Sequence, residues 1–187
     1  MKDLKDLLIE YEQNLCNKLF VLTLSNNQTI NIRFFREHLC HLMGIQHVYG
    51  KSKAYLGASG YKKIKTGNIT LSKIKNANKA GYALIKERLQ HFDELYELVT
   101  KGEIVRYEIV KVYPSTRIEA DFCIHKDETT YILHLFLKKE ATSSLYAPTS
   151  FVVKTCNDEN YKQFIKNQKY QKIISREIIK DKEPVTV

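Results

Sequence analysis

The spacing of apolar residues changes along the chain, from helical at the N-terminus to alternating in the segments that follow. Residues 1–18 are predicted as an amphipathic helix, with apolar side chains at helical spacing at Leu4, Leu7, Leu8, Tyr11 and Leu15. The runs KLFVLTL and TINIRFF flank a Ser-Asn-Asn-Gln turn and predict a β-hairpin. Residues 82–100 show the clearest helical pattern, and their apolar side chains share one face.

The second half of the chain is dominated by β-branched and aromatic runs. Four of them are predicted as strands: EIVRYEIVKVY, STRIEADFCIH, TTYILHLFLKK and TSFVVKT. Residues 161–180 are predicted as a short helix followed by a last strand. Helices early and strands late indicate an α+β fold, in which N-terminal helices and a hairpin pack on a twisted antiparallel sheet. The length of 187 residues fits a single domain, 1–187.

The net charge of +9 is distributed unevenly. Residues 38–86 contain nine lysines and neither Asp nor Glu. Such a segment favours a polyanionic partner, because each phosphate that a lysine neutralises releases counterions. The alternative is a lysine-rich surface that reflects codon usage in an AT-rich genome. Glycine-punctuated residues 45–80 are predicted as a basic helical insert within this segment.

Several classes of protein are disfavoured by the sequence. No apolar run approaches the ~18–20 residues that span a bilayer, and the acidic, amphipathic N-terminus does not match a signal peptide. The four cysteines are scattered without a CxxC pair, which is typical of a reduced, cytoplasmic protein. We expect no membrane association, no metal and no cofactor.

The stretch Arg36–Gly44, REHLCHLMG, places two histidines and a cysteine within four positions. On a helix, Leu39, Leu42 and Met43 cover the apolar face, and His41 lies well away from it. Cys40 projects to the flank opposite both histidines, so the three do not converge on a metal. Cys40 is therefore interpreted as a small, partly buried apolar residue. His41 is either an acid–base group beside the basic segment or a surface histidine.

A series of short motifs adds a resemblance to a known family. In order along the chain they are INIRFFREHLCHLMGIQ, YKKIKTGNIT, RLQHFDELYEL, ADFCI, YILHLFLKK and PTSFVVK. Together they resemble the fourth phage-type group of the barnase–EndoU–colicin–RelE superfamily of nucleases, over residues 19–180. The resemblance implies a metal-independent endoribonuclease fold, with helices followed by a twisted antiparallel sheet. Members of such a superfamily can lose activity.

Metal-independent RNA cleavage needs a base, an acid, cations near the phosphorus and a surface for the strand. His41 is the first candidate for proton transfer, because of its exposed helix face and its match to the family's His-Leu-X-Gly. His134 is the second candidate. A turn centred on Asp127-Glu128 would place Asp121 opposite His134, where the carboxylate would raise the pKa of the imidazole. The alternative for this pair is a structural role at the edge of the core.

The remaining candidates would hold the RNA. Lys63 is placed with the catalytic group as a cation for the transition state. The predicted nucleic-acid contacts are Arg33, Arg36, His38, Lys51, Lys53, Tyr61, Lys62, Lys65, Thr149 and Ser150. For these lysines the alternative is a solvated face, and for Tyr61 it is partial burial in the core. His47, His91 and His125 are interpreted as surface residues.

The leading hypothesis is a cytoplasmic endoribonuclease of phage or mobile-element origin, acting as a toxin or host-takeover effector. Its expected partners are RNA (tRNA or mRNA) and an acidic inhibitor protein that would cover the basic face. The first alternative is a non-catalytic module that binds nucleic acid or a host nucleoprotein complex. The second is a structural or regulatory phage protein. A groove that unites His41, His134 and a basic residue would favour the enzyme.

Overall fold

A sheet that curls into a half-barrel organises residues 1–180, the part of the chain that the computed structural model describes. Its strands are β1 Lys18–Leu24, β2 Thr29–Arg33, β3 Glu103–Arg106, β4 Phe122–Asp127, β5 Tyr131–Lys139, β6 Leu145–Thr155, β7 Lys169–Gln171 and β8 Ile173–Lys180. The helices are α1 Leu4–Asn14, α2 Leu39–Leu42, α3 Gln46–Tyr49, α4 Gly57–Lys65, α5 Leu71–Ala77, α6 Lys79–Gln90 and α7 Leu95–Lys101. The α+β class is therefore confirmed. The final residues of the predicted domain 1–187 lie outside the described part.

The strand order is β7-β3-β4-β5-β6-β2-β1-β8. Neighbours are antiparallel except β2 and β6, which pair in parallel through Asn31 and Ile32, so the sheet is mixed rather than wholly antiparallel. A parallel pair needs a long crossover, and here six helices, α2 to α7, and three strands separate β2 from β6. Only Lys172 separates β7 from β8, which border opposite ends of the sheet, and this continuity explains the curl.

The two faces of the sheet are packed differently. The helices cover one face, where Phe122, Leu133 and Phe151 join the main core. The opposite face carries a smaller cluster around Val105, Phe136 and the loop residue Phe164. Alternation along β3, β4 and β5 assigns neighbouring side chains to different faces, as expected for a sheet that is covered on both sides. None of the helices within residues 1–180 reaches the length and apolar content of a membrane span.

Some predicted elements are shorter than their patterns indicated. The helix predicted over residues 82–100 is two helices, because a 3₁₀ turn at Phe92–Glu94 separates α6 from α7. The Asn78 side chain caps α6 by accepting a hydrogen bond from the Gly81 N–H at 2.8 Å, so this helix begins earlier than predicted. The strand predicted from residue 103 ends at Arg106, and residues 161–168 form turns rather than a helix.

Candidate active site

His41 lies on the short helix α2, with its side chain directed away from the core. Leu39, Leu42 and Met43 are completely buried, as the helical spacing predicted, and His41 is exposed. Cys40 is also completely buried, which is deeper than predicted. The packing of its neighbours fixes α2 against the core, and the His41 ring is held at the surface.

Gly44 ends α2 and brings it into direct contact with α6. Its φ of +81° is in the left-handed region, and its N–H donates to the His41 carbonyl at 3.0 Å. A Cβ atom at this position would lie 2.7 Å from Ile85 Cγ2 and 3.2 Å from Arg88 Nη1. Only glycine therefore allows the end of α2 to approach the Arg88 guanidinium this closely.

Arg88 is a half-buried cation on the side of α6 that faces His41 and His47. Burial lowers the pKa of its guanidinium to about 10. Within residues 1–180 its side chain makes no hydrogen bond and no ion pair. Withdrawing a charge from water without a partner is unfavourable, so this guanidinium is available to an anion that enters from outside.

A β-bulge in β6 forms the third side of the site. Phe136 of β5 pairs with Ser150 and Leu137 pairs with Pro148, so Thr149 is the extra residue. Thr149 Oγ1 donates to the Phe136 carbonyl at 3.3 Å, and the Thr149 backbone interacts with the His41 imidazole. Bulges turn side chains and carbonyls out of the regular ladder, and this one directs the β6 backbone towards α2.

The electrostatics of the site favour neutral imidazoles. Partial burial lowers the pKa of His41, the Thr149 backbone raises it, and Arg88 lowers it. The pKa of His47 is lowered by burial, by Arg88 and by His41. His41 is exposed as a residue, yet desolvation is the largest cause of its lowered pKa. At neutral pH the site thus combines unprotonated imidazoles with a permanent cation, an arrangement suited to an anionic ligand that has a proton to lose.

The sequence did not identify Arg88 or His47 as site residues. A usable signal was present, because Arg88 lies between Ile85 and Leu89 and so borders the buried stripe of a well-defined helix. The acid-free run of lysines ends at Lys86, two positions before Arg88, so the charge pattern of the sequence does not extend to this arginine.

The predicted Asp121–His134 pair is wrong. His134 lies opposite His125, and Phe122 lies opposite Leu137. Asp121 instead accepts a hydrogen bond from the Lys139 N–H through Oδ2 at 2.7 Å. His134 is completely buried on the face away from the helices, and neither ring nitrogen makes a hydrogen bond of good geometry. It therefore cannot share a groove with His41, and the role in proton transfer predicted for His134 and Asp121 is not retained.

His134 is instead expected to make the fold sensitive to acid. Burial lowers the pKa of His134 to about 3, whereas the unfolded chain titrates near the ordinary value of 6.5. Below pH 6.5 the unfolded chain binds a proton that the folded chain does not, so stability is lost as the pH falls towards 3. Between pH 6.5 and 5 the loss is about 2 kcal/mol. Urea denaturation across this range measures it.

The matched variant for this prediction is His134→Leu. It should flatten the slope of stability against pH and leave the smaller contributions of His38, His41 and His47, whose pKa values are also lowered. A slope equal to that of the wild type would show that His134 is not the group that titrates.

Several predicted RNA contacts converge on Glu12 of α1. Arg36 Nε lies 3.1 Å and Lys65 Nζ 3.7 Å from Glu12 Oε1, and the Tyr61 hydroxyl donates to the same oxygen. Tyr61 is buried, so its ring is not exposed for the predicted base stacking. In space, therefore, the segment that lacks acids in the sequence is partly neutralised by an acid from α1.

The other predicted contacts are not united in one place, and Ser150 pairs with Phe136 on the sheet face away from the helices. Lys51, Lys53 and Lys62 are exposed, and Lys63 Nζ lies 4.2 Å from the centre of the Tyr55 ring. His38 is half-buried, and its Nδ1 accepts from the Phe35 N–H at 3.3 Å. Arg33 lies half-buried on β2, and Ser150 half-buried on β6. Within residues 1–180, no three His, Cys, Asp or Glu side chains converge to hold a metal ion.

Gly44 provides a direct test of the contact between α2 and α6. Gly44→Ala should destabilise the fold by about 2–4 kcal/mol, because it combines a left-handed backbone with a clash against Ile85. Gly67→Ala is the matched control, since Gly67 has a φ of +73° and no atom within 4 Å of the added Cβ. Thermal unfolding should show a loss of only about 1 kcal/mol for the control. Equal losses would mean that α2 does not depend on this close approach.

These features define an α+β protein with a cationic site that bears histidines. The site lies between the contact of α2 with α6 and the β-bulge in β6. The family model described as phage-Barnase-EndoU-ColicinE5/D-RelE like nuclease4 matches residues 3–187, and the chain belongs to this family. No significant match was found among curated proteins or among solved structures. Membership of the family supports a nuclease function and a nucleic-acid substrate.

Proposed function

We propose that this protein is a metal-independent endoribonuclease whose active site is formed by His41, Arg88 and His47. The observation that carries the proposal is the half-buried Arg88 guanidinium, which has no anionic partner within residues 1–180 and adjoins imidazoles of lowered pKa. In a member of a nuclease family, the anion that suits this site is a phosphodiester.

The geometry supports an attack by the neighbouring hydroxyl of the ribose. His41, unprotonated at neutral pH, would accept the proton of the 2′-OH, and the 2′-oxygen would form a bond to phosphorus. Arg88 would stabilise the charge on the phosphorane oxygens. The bond from phosphorus to the 5′-oxygen then breaks, and the leaving oxygen takes the proton that His41 accepted from the 2′-OH, since His47 is itself unprotonated at neutral pH. The products would be a 2′,3′-cyclic phosphate and a 5′-hydroxyl.

The exposed lysines near α4 would hold the strand outside the reaction centre. Lys51, Lys53 and Lys62 are exposed, and α4 packs on α2, which carries His41. Each lysine that contacts a phosphate adds to the affinity and to its dependence on salt. The proposed toxin role and an acidic inhibitor of this basic face follow from the same charge, and they form part of the proposal.

Cleavage of RNA by the purified protein in EDTA tests the proposal. The wild type should cut tRNA or total RNA and leave 2′,3′-cyclic phosphate ends. An RNA oligonucleotide with a single 2′-deoxy substitution at the mapped cleavage position should resist cutting there, because the attacking hydroxyl is missing. Binding of RNA without cleavage under all conditions would overturn the proposal and favour the non-catalytic binding module.

A further inference from the structure

A cavity of about 760 Å³ opens on the face of the sheet that the helices do not cover. Val105 of β3 and His125 of β4 lie at its base, and residues 159–168 form much of its wall. His125 is only 7% exposed, so it is a buried residue rather than the surface histidine expected from the sequence. Because Val105 belongs to the cluster on the face away from the helices, this cavity is separate from His41 and Arg88, which lie on the helical side.

Aromatic and cationic side chains both line this cavity. Three tyrosines and three lysines line it: Tyr113, Tyr161, Tyr170, Lys111, Lys162 and Lys166. The Tyr113 side chain is 85% exposed and Tyr170 is 56% exposed, so large rings are left open to solvent beside the cavity. A planar ligand would remove this aromatic surface from water and would gain stacking energy.

The lysines leave positive charge available to a ligand. Lys111 Nζ is paired with Glu108 at 2.6 Å, whereas Lys162 Nζ lies 3.8 Å from Asp127 in a longer contact. Lys166 has no ion pair from its side chain within residues 1–180. Among the described residues that line the cavity, Glu159 is the one acid, and of the three lysines Lys166 is the one without a carboxylate within ion-pair distance.

We propose that this cavity binds one nucleotide unit, with its base against the tyrosine rings and its phosphate near Lys162 and Lys166. A simpler ligand would match only part of the lining. A bare phosphate would leave the tyrosine rings exposed to water, and an apolar molecule would bury the lysines without an anionic partner. The volume is within the ~300–1,000 Å³ of typical small-molecule sites. The nucleotide could belong to a single-stranded RNA or be free, and the proposal rests on the proposed function only in the first case.

Binding measurements on the full chain carrying His41→Asn test this site without cleavage. The probes are fluorescently labelled oligouridylate and oligoadenylate, unlabelled UMP and AMP, and inorganic phosphate. Tyr113→Ala and Lys166→Glu should each weaken nucleotide binding by about tenfold or more. The matched controls are Val110→Ala, an exposed apolar residue that does not line the cavity, and Lys5→Glu, an exposed lysine on α1. Circular dichroism confirms that the variants fold.

Two results would support the proposal and distinguish the sources of the nucleotide. If UMP or AMP binds and the cavity variants weaken this binding, the ligand is a free nucleotide. If only the oligonucleotides bind and the cavity variants weaken their binding, the ligand is an RNA strand. The proposal is overturned if nothing binds, if inorganic phosphate competes as well as a nucleotide does, or if the cavity variants behave like the controls. Because binding is measured without cleavage, the site can be established even where the wild type cuts no RNA.

Discussion

Replacing His41 with asparagine should lower the rate of RNA cleavage by about 10²–10⁴-fold while RNA binding is retained. Asparagine preserves a polar side chain of similar size on α2 but cannot accept a proton near neutral pH. Since His41 is exposed and the neighbouring Leu39 and Leu42 hold α2 in place, the fold should be unaffected. Single-turnover cleavage of a labelled RNA measures the effect.

The pH profile separates a chemical role of His41 from a structural one. Its pKa is below the ordinary value of 6.5, so the rate of the wild type should rise with pH and level off before neutrality. The cleavage rate of the asparagine variant should not show this rise with pH. His38→Asn is the matched control, because asparagine can also accept the hydrogen bond from the Phe35 N–H, and its rate should stay near that of the wild type. Undiminished cleavage by the His41 variant would exclude His41 as the base.

Local geometry explains why the exposure of His41 was predictable. A helix of known period, anchored by several apolar residues, determines which way the neighbouring side chains point. Arg88 was not predictable in the same way, because its role depends on Gly44, far away in the sequence. The charge of the lysine-rich segment was not fully predictable either, because Glu12, which pairs with Lys65, lies outside that segment on α1.

The error in the β4–β5 register has a definite physical origin. His134 pairs with His125 rather than Asp121, a difference of four positions along β4. Side chains alternate with a period of two, so a shift of four leaves the same residues facing the core. Phe122 meets a leucine in either register, and the apolar pattern could not distinguish them. The polar Asp127-Glu128 dipeptide suggested the turn, but β4 continues through Asp127.

Arg88→Met should make the protein more stable and less active at the same time. Burial lowers the pKa of the guanidinium to about 10, and this shift reflects the free-energy cost of holding a charge away from water without a partner. Because the side chain is half-buried, we expect about 1–3 kcal/mol of added stability when the charge is replaced by an apolar group. RNA cleavage should fall by about 10²-fold or more, because the phosphorane loses its cation.

Three measurements on Arg88 variants distinguish this role from a structural one. Arg117→Met, at an exposed arginine, should leave both stability and cleavage unchanged. Arg88→Lys should keep the charge and lose the planar fork, so its activity should be intermediate. Added sulfate should raise the unfolding temperature of the wild type more than that of Arg88→Met, because only the wild type retains the anion site. A methionine variant that is less stable than the wild type would mean that Arg88 supports the fold, and the active site would then have to be sought elsewhere.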